Sequence, residues 1–206
     1  MHVAAAARPR ATLVLGHGAG GGVDTPDLRA LARVLPSDGV TVVRVEQPWR
    51  VAGRKVAAPP PTLDRAWLAV VAALDVPGRL LVGGRSAGAR VACRTAVAVG
   101  ADGCLALAFP LHPPGRVDKS RLGELTGAGV PTLVVQGGRD PFGSADAFPE
   151  TLPAGTVVRA VPHADHSFRV AKASPLTAQE ALGLVVDHTR RWLREVLRRE
   201  PLVQQS

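Results

Sequence analysis

Residues 80–88 read LLVGGRSAG, and Gly84-Arg85-Ser86-Ala87-Gly88 within them fits the pattern G-x-S-x-G. An apolar run leads in and helical spacing leads out over 87–99, so Ser86 falls on a strand-to-helix turn. Such a turn is sharp and strained. Side chains two positions to either side would collide with backbone, which glycine at 84 and 88 avoids. The turn lifts the hydroxyl above the sheet edge, and the helix start behind it favours negative charge. A serine hydroxyl is a weak nucleophile and needs a base held in place by an acid. On this framework the chain order is Ser, then Asp or Glu, then His. Downstream, residues 135–140 read VQGGRD and residues 161–168 read VPHADHSF, each an apolar run followed by a polar loop. Asp140 and His166 are therefore of the right types, in the right order, after two further strands. The pattern predicts acyl transfer with Ser86 as nucleophile, His166 as base and Asp140 as the acid that orients it. His163 competes for the base, but it lies only two residues past its strand, early for a chain that must turn back to Ser86. His163-x-x-His166 also has the spacing of a metal pair, yet no further ligand cluster accompanies it, so no metal site is expected.

A second glycine-rich stretch, Gly16-His17-Gly18-Ala19-Gly20-Gly21-Gly22, follows Leu13-Val14-Leu15. One reading is an oxyanion loop of the HGGG type, whose backbone N–H groups would meet the negative charge developed on an attacked carbonyl. The rival is a dinucleotide site, with Gly16, Gly18 and Gly21 as G-x-G-x-x-G and Glu46 as the ribose-binding acid. A dinucleotide site needs its helix to begin inside the glycine motif, and here the helix is expected only near Pro26.

The elements that must position these residues follow from apolar patterning. Strands are expected over 12–15, 41–45, 80–82, 104–108, 132–135 and 156–161, all rich in Val and Leu as strands buried on both faces should be. Helices are expected near 26–36, 62–75, 87–99, 118–128, 144–151 and 177–199. This alternation is the mark of a parallel sheet wrapped by helices. Thr177 and Glu180 form a capping box at the start of the last helix. The run AAPPP at 57–61 breaks regular structure inside a loop. With 206 residues, no internal repeat and no shift of composition, one domain over 1–206 is expected. Two cysteines cannot build a disulfide scaffold, so Cys93 and Cys104 read as buried thiols in a reducing compartment. No apolar run reaches the roughly 18 residues of a membrane span, and the N-terminus lacks the cationic start and long apolar stretch of a secretory signal. A cytoplasmic protein without a membrane partner is expected.

The net charge of +8 raises the question of an anionic partner. Only Lys55, Lys119 and Lys172 are lysines; the remaining cations are arginines scattered through an Ala- and Val-rich background. The densest stretch, Arg190 to Arg199, alternates with Trp192, Leu193, Val196 and Leu197 at helical spacing, which makes it a solvated helix face. With three Trp, four Phe and no Tyr, stacking platforms for bases are scarce, so no nucleic-acid partner is expected.

With these residues in hand, the chain resembles the alpha/beta-hydrolase superfamily. It is most similar to the small dienelactone-hydrolase-like branch that includes testis-expressed hydrolase-like proteins and a subunit of the non-specific-lethal chromatin complex. The resemblance runs from HGAG at 17–20 through GRSAGAR at 84–90 and FPLHPPG at 109–115 to QGGRDPFG at 136–143 and ADHSF at 164–168. It implies a minimal α/β fold of about six mostly parallel strands with helices on both faces and no lid domain, the two extra N-terminal strands of the full fold being absent. It also implies Ser86, Asp140 and His166 as the triad, with Ala87 and Ala19 supplying oxyanion N–H groups. Only a short loop and one helix fit between Pro110 and Val130, where some members carry a lid, so an open site for small or exposed acyl groups is expected. Rim candidates follow the strand ends: Gly18, Pro48, Trp49, Phe109, Leu111, His112, Phe142 and Phe168. Arg85 and Arg139 flank the nucleophile and the acid, either to attract an anionic substrate or to tie loops through carboxylates such as Asp165. The expectation is a serine hydrolase for small carboxylic esters or thioesters that needs no cofactor. The alternative is a catalytically weak scaffold that binds a protein partner.

Overall fold

The apolar runs become the strands of one sheet. In the computed structural model, which describes residues 1–199, the strands are β1 (His2–Ala4), β2 (Ala11–Gly16), β3 (Val40–Val45), β4 (Arg79–Arg85), β5 (Gly103–Leu107), β6 (Thr132–Gly137) and β7 (Thr156–Val161). Their order across the sheet is β1-β3-β2-β4-β5-β6-β7. All neighbours are parallel except β1, which pairs antiparallel with β3 through His2↔Arg44, Val3↔Val43 and Ala4↔Val42. This seventh strand corrects the expected six. It is three residues long and largely exposed at the sheet edge, so it carries no apolar alternation that a sequence reading could find.

Because successive side chains of a strand point to opposite faces, each central strand feeds two cores. Leu13, Leu15, Leu105, Leu107, Leu133 and Val135 pack beneath α1 (Pro26–Val34) and α6 (Ala178–Arg198), against Leu28, Leu31, Val185, Trp192 and Val196. Val14, Val82, Cys104, Ala106 and Val134 pack on the other side, against α3 (Pro60–Ala72), α4 (Ala87–Thr95) and α5 (Leu122–Thr126), where Leu63, Trp67, Val91 and Leu125 lie. A short helix, α2 (Pro48–Val51), follows β3 and was not expected. The helix expected at 144–151 is a single 3-10 turn over Ala145–Ala147, since Pro149 forces Phe148 into extended backbone. The capping box of α6 forms: the Thr177 hydroxyl accepts from the Glu180 N–H at 3.2 Å, and the Glu180 carboxylate accepts from the Thr177 N–H at 2.7 Å.

The entering end of the sheet is fastened by Arg79, whose guanidinium donates to the Val196 and Arg199 carbonyls at the close of α6 and to Asp102. The thiols of Cys93 and Cys104 are buried and lie 3.8 Å apart, joined by a weak hydrogen bond and not by a disulfide. Its hydrogen bond to Cys93, and then burial, push the Cys104 thiol well above its ordinary pKa. Among the described residues no helix is long and apolar enough to cross a membrane.

Candidate active site

Ser86 sits between β4 and α4 with φ 53° and ψ −111°, a left-handed conformation that costs an ordinary residue roughly 1–3 kcal/mol. The glycines on either side explain how the turn closes. A Cβ on Gly84 would meet the Gly16 carbonyl oxygen at 2.5 Å and the Gly88 carbonyl carbon at 2.6 Å; one on Gly88 would meet the Gly16 oxygen at 2.3 Å. The end of β2 therefore rests directly on the elbow, and the two glycine motifs are halves of one contact.

His166 and Asp140 converge on this serine. The Ser86 Oγ lies 2.9 Å from His166 Nε2, and His166 Nδ1 lies 2.7 Å from Asp140 Oδ2. A carboxylate only accepts, so Nδ1 carries the proton and Nε2 is free to accept from the serine hydroxyl. Asp140 is itself held: the Gln136 amide donates to Oδ2 at 2.9 Å and the Phe142 N–H to Oδ1 at 2.8 Å. The same Gln136 NH2 shares its two protons among Asp140 and the Phe109 and Gly143 carbonyls, which fixes it in the buried end of β6. The Phe142 ring lies 4.3 Å from the imidazole centre and covers one of its faces. His163 is exposed at a left-handed turn (φ 61°), and no hydrogen bond joins it to Ser86 or Asp140.

The glycine loop closes the other side. α1 begins only at Pro26, past every glycine of the stretch, so no helix N-terminus stands over a G-x-G-x-x-G turn. His17 is fully buried; its Nδ1–H donates to the Gly18 carbonyl at 2.8 Å and its Nε2 accepts from the Gln47 N–H at 3.0 Å. Burial lowers its pKa below the usual imidazole value. Trp49 meets the His17 ring edge to face, with centres 5.3 Å apart. The loop is thus shaped by a neutral imidazole. The N–H groups of Ala19 and Ala87 find no hydrogen-bond acceptor among the described residues, and both residues line the cleft that contains Ser86.

That cleft has a volume of about 560 Å³, within the range of small-molecule sites. Its lining includes apolar residues, Ala57, Ala58, Pro60, Leu63, Pro110 and Phe142, together with five arginines, Arg85, Arg90, Arg94, Arg121 and Arg169. Arg90 and Arg94 follow Ser86 at i+4 and i+8, one and two turns along the same face of α4. They share Glu124, and Arg94 also holds Asp64. The two guanidiniums hold the Glu124 carboxyl below its ordinary pKa even though burial works the other way. Among the described residues, the Arg121 guanidinium reaches only the Pro110 carbonyl, at 3.3 Å.

Several expected rim residues lie elsewhere. Trp49, Phe109, Leu111 and Phe168 are buried in the cores, because a chain with so few aromatics uses them as its largest fillers. Pro48 lines a separate groove beside α2. His112 stands outside the cleft, donating from its ring to the Pro113 carbonyl, and Arg139 is exposed. Gly18 is not part of the lining either, but a Cβ there would press on Arg85 and the Ser86 side chain at 3.1–3.2 Å. Of the expected rim, Phe142 and Arg85 line the cleft. Arg85 pairs with Asp27 rather than Asp165, whose carboxylate accepts the Ser167 and Arg169 N–H groups. Asp27, Gln136 and the arginines of the lining other than Arg85 were not anticipated. The i+4 and i+8 spacing of Arg90 and Arg94 from Ser86 was the one signal of them in the sequence.

Comparison with known proteins agrees with this architecture. A family model described as "Alpha/beta hydrolase domain" matches residues 9–194. A sequence search of curated proteins gives no match. Among solved structures, a lidless a/b serine hydrolase from Xanthomonas campestris is 26% identical, with a TM-score of 0.64 over 91% of this chain and 84% of that one. Dienelactone hydrolase from Anabaena variabilis superposes with a TM-score of 0.69 at 18% identity, covering 93% and 88% of the two chains. Est1E from Butyrivibrio proteoclasticus, solved with ferulic acid, gives 0.61 at 15% identity, covering 90% of each.

Proposed function

The chain belongs to the alpha/beta hydrolase domain family, and from that premise we propose that it is a serine hydrolase for small carboxylic esters or thioesters. The observation that carries this reading is the unbroken hydrogen-bond chain Asp140–His166–Ser86, at 2.7 and 2.9 Å. In the proposed cycle, His166 Nε2 takes the Ser86 proton as Oγ attacks the acyl carbon, while Asp140 orients the imidazole and stabilises its cation. The N–H groups of Ala19 and Ala87 receive the oxyanion, each contributing roughly 3–4 kcal/mol to the transition state. His166 then protonates the leaving alcohol or thiol. Water, deprotonated by the same nitrogen, cleaves the acyl-enzyme and frees the acid. The open cleft favours short or exposed acyl groups.

The test is covalent labelling with a fluorophosphonate probe, mapped by mass spectrometry, beside turnover of short-chain ester and thioester series. Labelling confined to Ser86, with turnover abolished in folded Ser86→Ala and His166→Ala, is the expected result. Full esterase activity in Ser86→Ala would refute the assignment. A well-folded wild type that neither labels nor turns over would leave the scaffold alternative standing.

A further inference from the structure

We propose that Arg85, ion-paired with the buried Asp27, is the positioning residue that holds the His166 loop against the nucleophile. The inference rests on the reading of Ser86 and His166 as reacting groups, and it explains a feature that their chemistry alone does not use. Arg85 is the last residue of β4, immediately before Ser86, and is 7% exposed. Its Nη2 donates to the His166 carbonyl oxygen at 2.6 Å and to the Ser167 hydroxyl at 3.0 Å. Its Nε lies 3.2 Å from Oδ2 of Asp27, a 1% exposed carboxylate in the first turn of α1, as an ion pair in which that oxygen accepts no aligned hydrogen bond among the described residues. Its Nη1 lies against Gly18, where a Cβ would come within 3.1 Å. One side chain rooted at the end of the nucleophile strand therefore reaches the glycine loop, the histidine loop and α1.

The placement matters because of how the histidine loop is otherwise held. Backbone bonds from Gly138 to the Val161 carbonyl and from Arg139 to the Ala164 carbonyl tie it to the β6 side, and Phe168 anchors its far end in the core. The Asp165 carboxylate curls the loop upon itself. Among the described residues, the loop meets the end of β4 through hydrogen bonds from the Arg85 guanidinium and the His166–Ser86 contact alone. Without Arg85, the imidazole would be fixed to Asp140 but free to swing from Oγ. A buried ion pair is a costly way to fill space, and an apolar pair of similar volume would serve packing equally well. What an apolar pair cannot do is donate forked hydrogen bonds to two loop oxygens while anchored from behind. A lysine, with a single donor point, cannot span Asp27 and the loop together.

The experiment uses the full-length protein with Arg85→Met, Arg85→Lys and Asp27→Asn, each checked for folding by circular dichroism. Two readouts are taken. One is fluorophosphonate labelling of Ser86, separated into the limiting rate and the half-saturating probe concentration. The other is the low-field proton resonance of the His166 Nδ1–H in protein carrying labelled histidine, assigned by its loss in His166→Ala. Arg85→Met should lower the limiting rate about 100-fold, the scale of a 1 Å misplacement, with half-saturation unchanged and the His166 resonance broadened away. Asp27→Asn and Arg85→Lys should fall in between. Wild-type limiting rate and resonance in folded Arg85→Met would overturn the proposal. If that variant fails to fold, the same pair of results in Arg85→Lys would overturn it. Failure of the hydrolase reading looks different: the wild type itself does not label, while the resonance still reports whether Arg85 fixes the ring.

Discussion

The contact between the elbow and the end of β2 can be probed with one methyl group placed at two sites. Gly183 lies inside α6, where alanine brings a gain in helix propensity of about 1 kcal/mol, and at Gly88, the second residue of α4, the gain is at most that. Around Gly183 a Cβ would find nothing within 4 Å. Gly183→Ala should therefore stabilise the protein by about that amount. At Gly88 the new Cβ would stand 2.3 Å from the Gly16 oxygen, 2.5 Å from its carbon and 3.0 Å from the His17 oxygen. Ordinary contact needs about 3.5 Å, so the backbone must retreat by about 1 Å. Gly16 is poorly placed to yield, being paired with Val45 on one side and Gly84 on the other. Overpacking of this kind costs about 1–3 kcal/mol or more, which cancels the propensity gain and leaves a net loss of up to about 2 kcal/mol. The chemistry should suffer more than the stability. Gly16 leads directly into the loop carrying Ala19, and a 1 Å displacement of a positioned group is worth about 100-fold in rate. Urea unfolding midpoints and fluorophosphonate labelling rates measure the two effects. If Gly88→Ala unfolds at the same midpoint as Gly183→Ala and labels at the wild-type rate, the argument from close approach is wrong.

Two further expectations concern stability. Burial lowers the pKa of His17 and, together with its weaker neighbours' effects, that of His188 below the ordinary 6.5. The unfolded chain then binds protons that the folded chain refuses. Stability is accordingly full above about pH 6.5 and declines as the pH falls through the lowered folded values, by up to about 1.4 kcal/mol per pH unit for each histidine. Urea midpoints followed from about pH 7.5 to about pH 5 should show this slope, and His17→Gln should flatten it; an equal slope in that variant would remove His17 as a cause. Thr177→Ala, which deletes the cap of α6, should lower stability by about 1 kcal/mol and leave labelling of Ser86 unchanged, because the capping box lies outside the cleft. A loss of labelling in that variant would mean that α6 acts on the site.

What could be read from the sequence is what short stretches determine. The parallel strands announced themselves through Val- and Leu-rich runs, and the elbow through glycines whose necessity is local to a five-residue turn. The seventh strand stayed hidden because three edge residues make no pattern. Helix α2 stayed hidden because four residues make no period. The cleft was legible only in part. Its walls join segments 57–63, 85–94 and 110–121, and which of their side chains face inward depends on how three helices dock on the sheet. The aromatics misled for a related reason: placed after strand ends, Trp49, Phe109 and Phe168 look like rim residues, yet their bulk is needed inside. Arg85 was visible as a residue beside the nucleophile. Its partner could not be, since Asp27 is 58 positions away and reaches it only once the fold brings the first turn of α1 to the end of β4.

The backbone at Ser86 also bears on how such a protein persists over generations. At φ 53° the chain keeps a strained corner at one residue of the elbow, and relaxing such a corner is one route to a sturdier protein. Drift under selection for folding alone would wear it down, since a scaffold that merely presents a surface is served as well by a relaxed turn. A lineage that retains the corner, with glycine on both sides of it, is one in which whatever the serine does outweighs the robustness forgone.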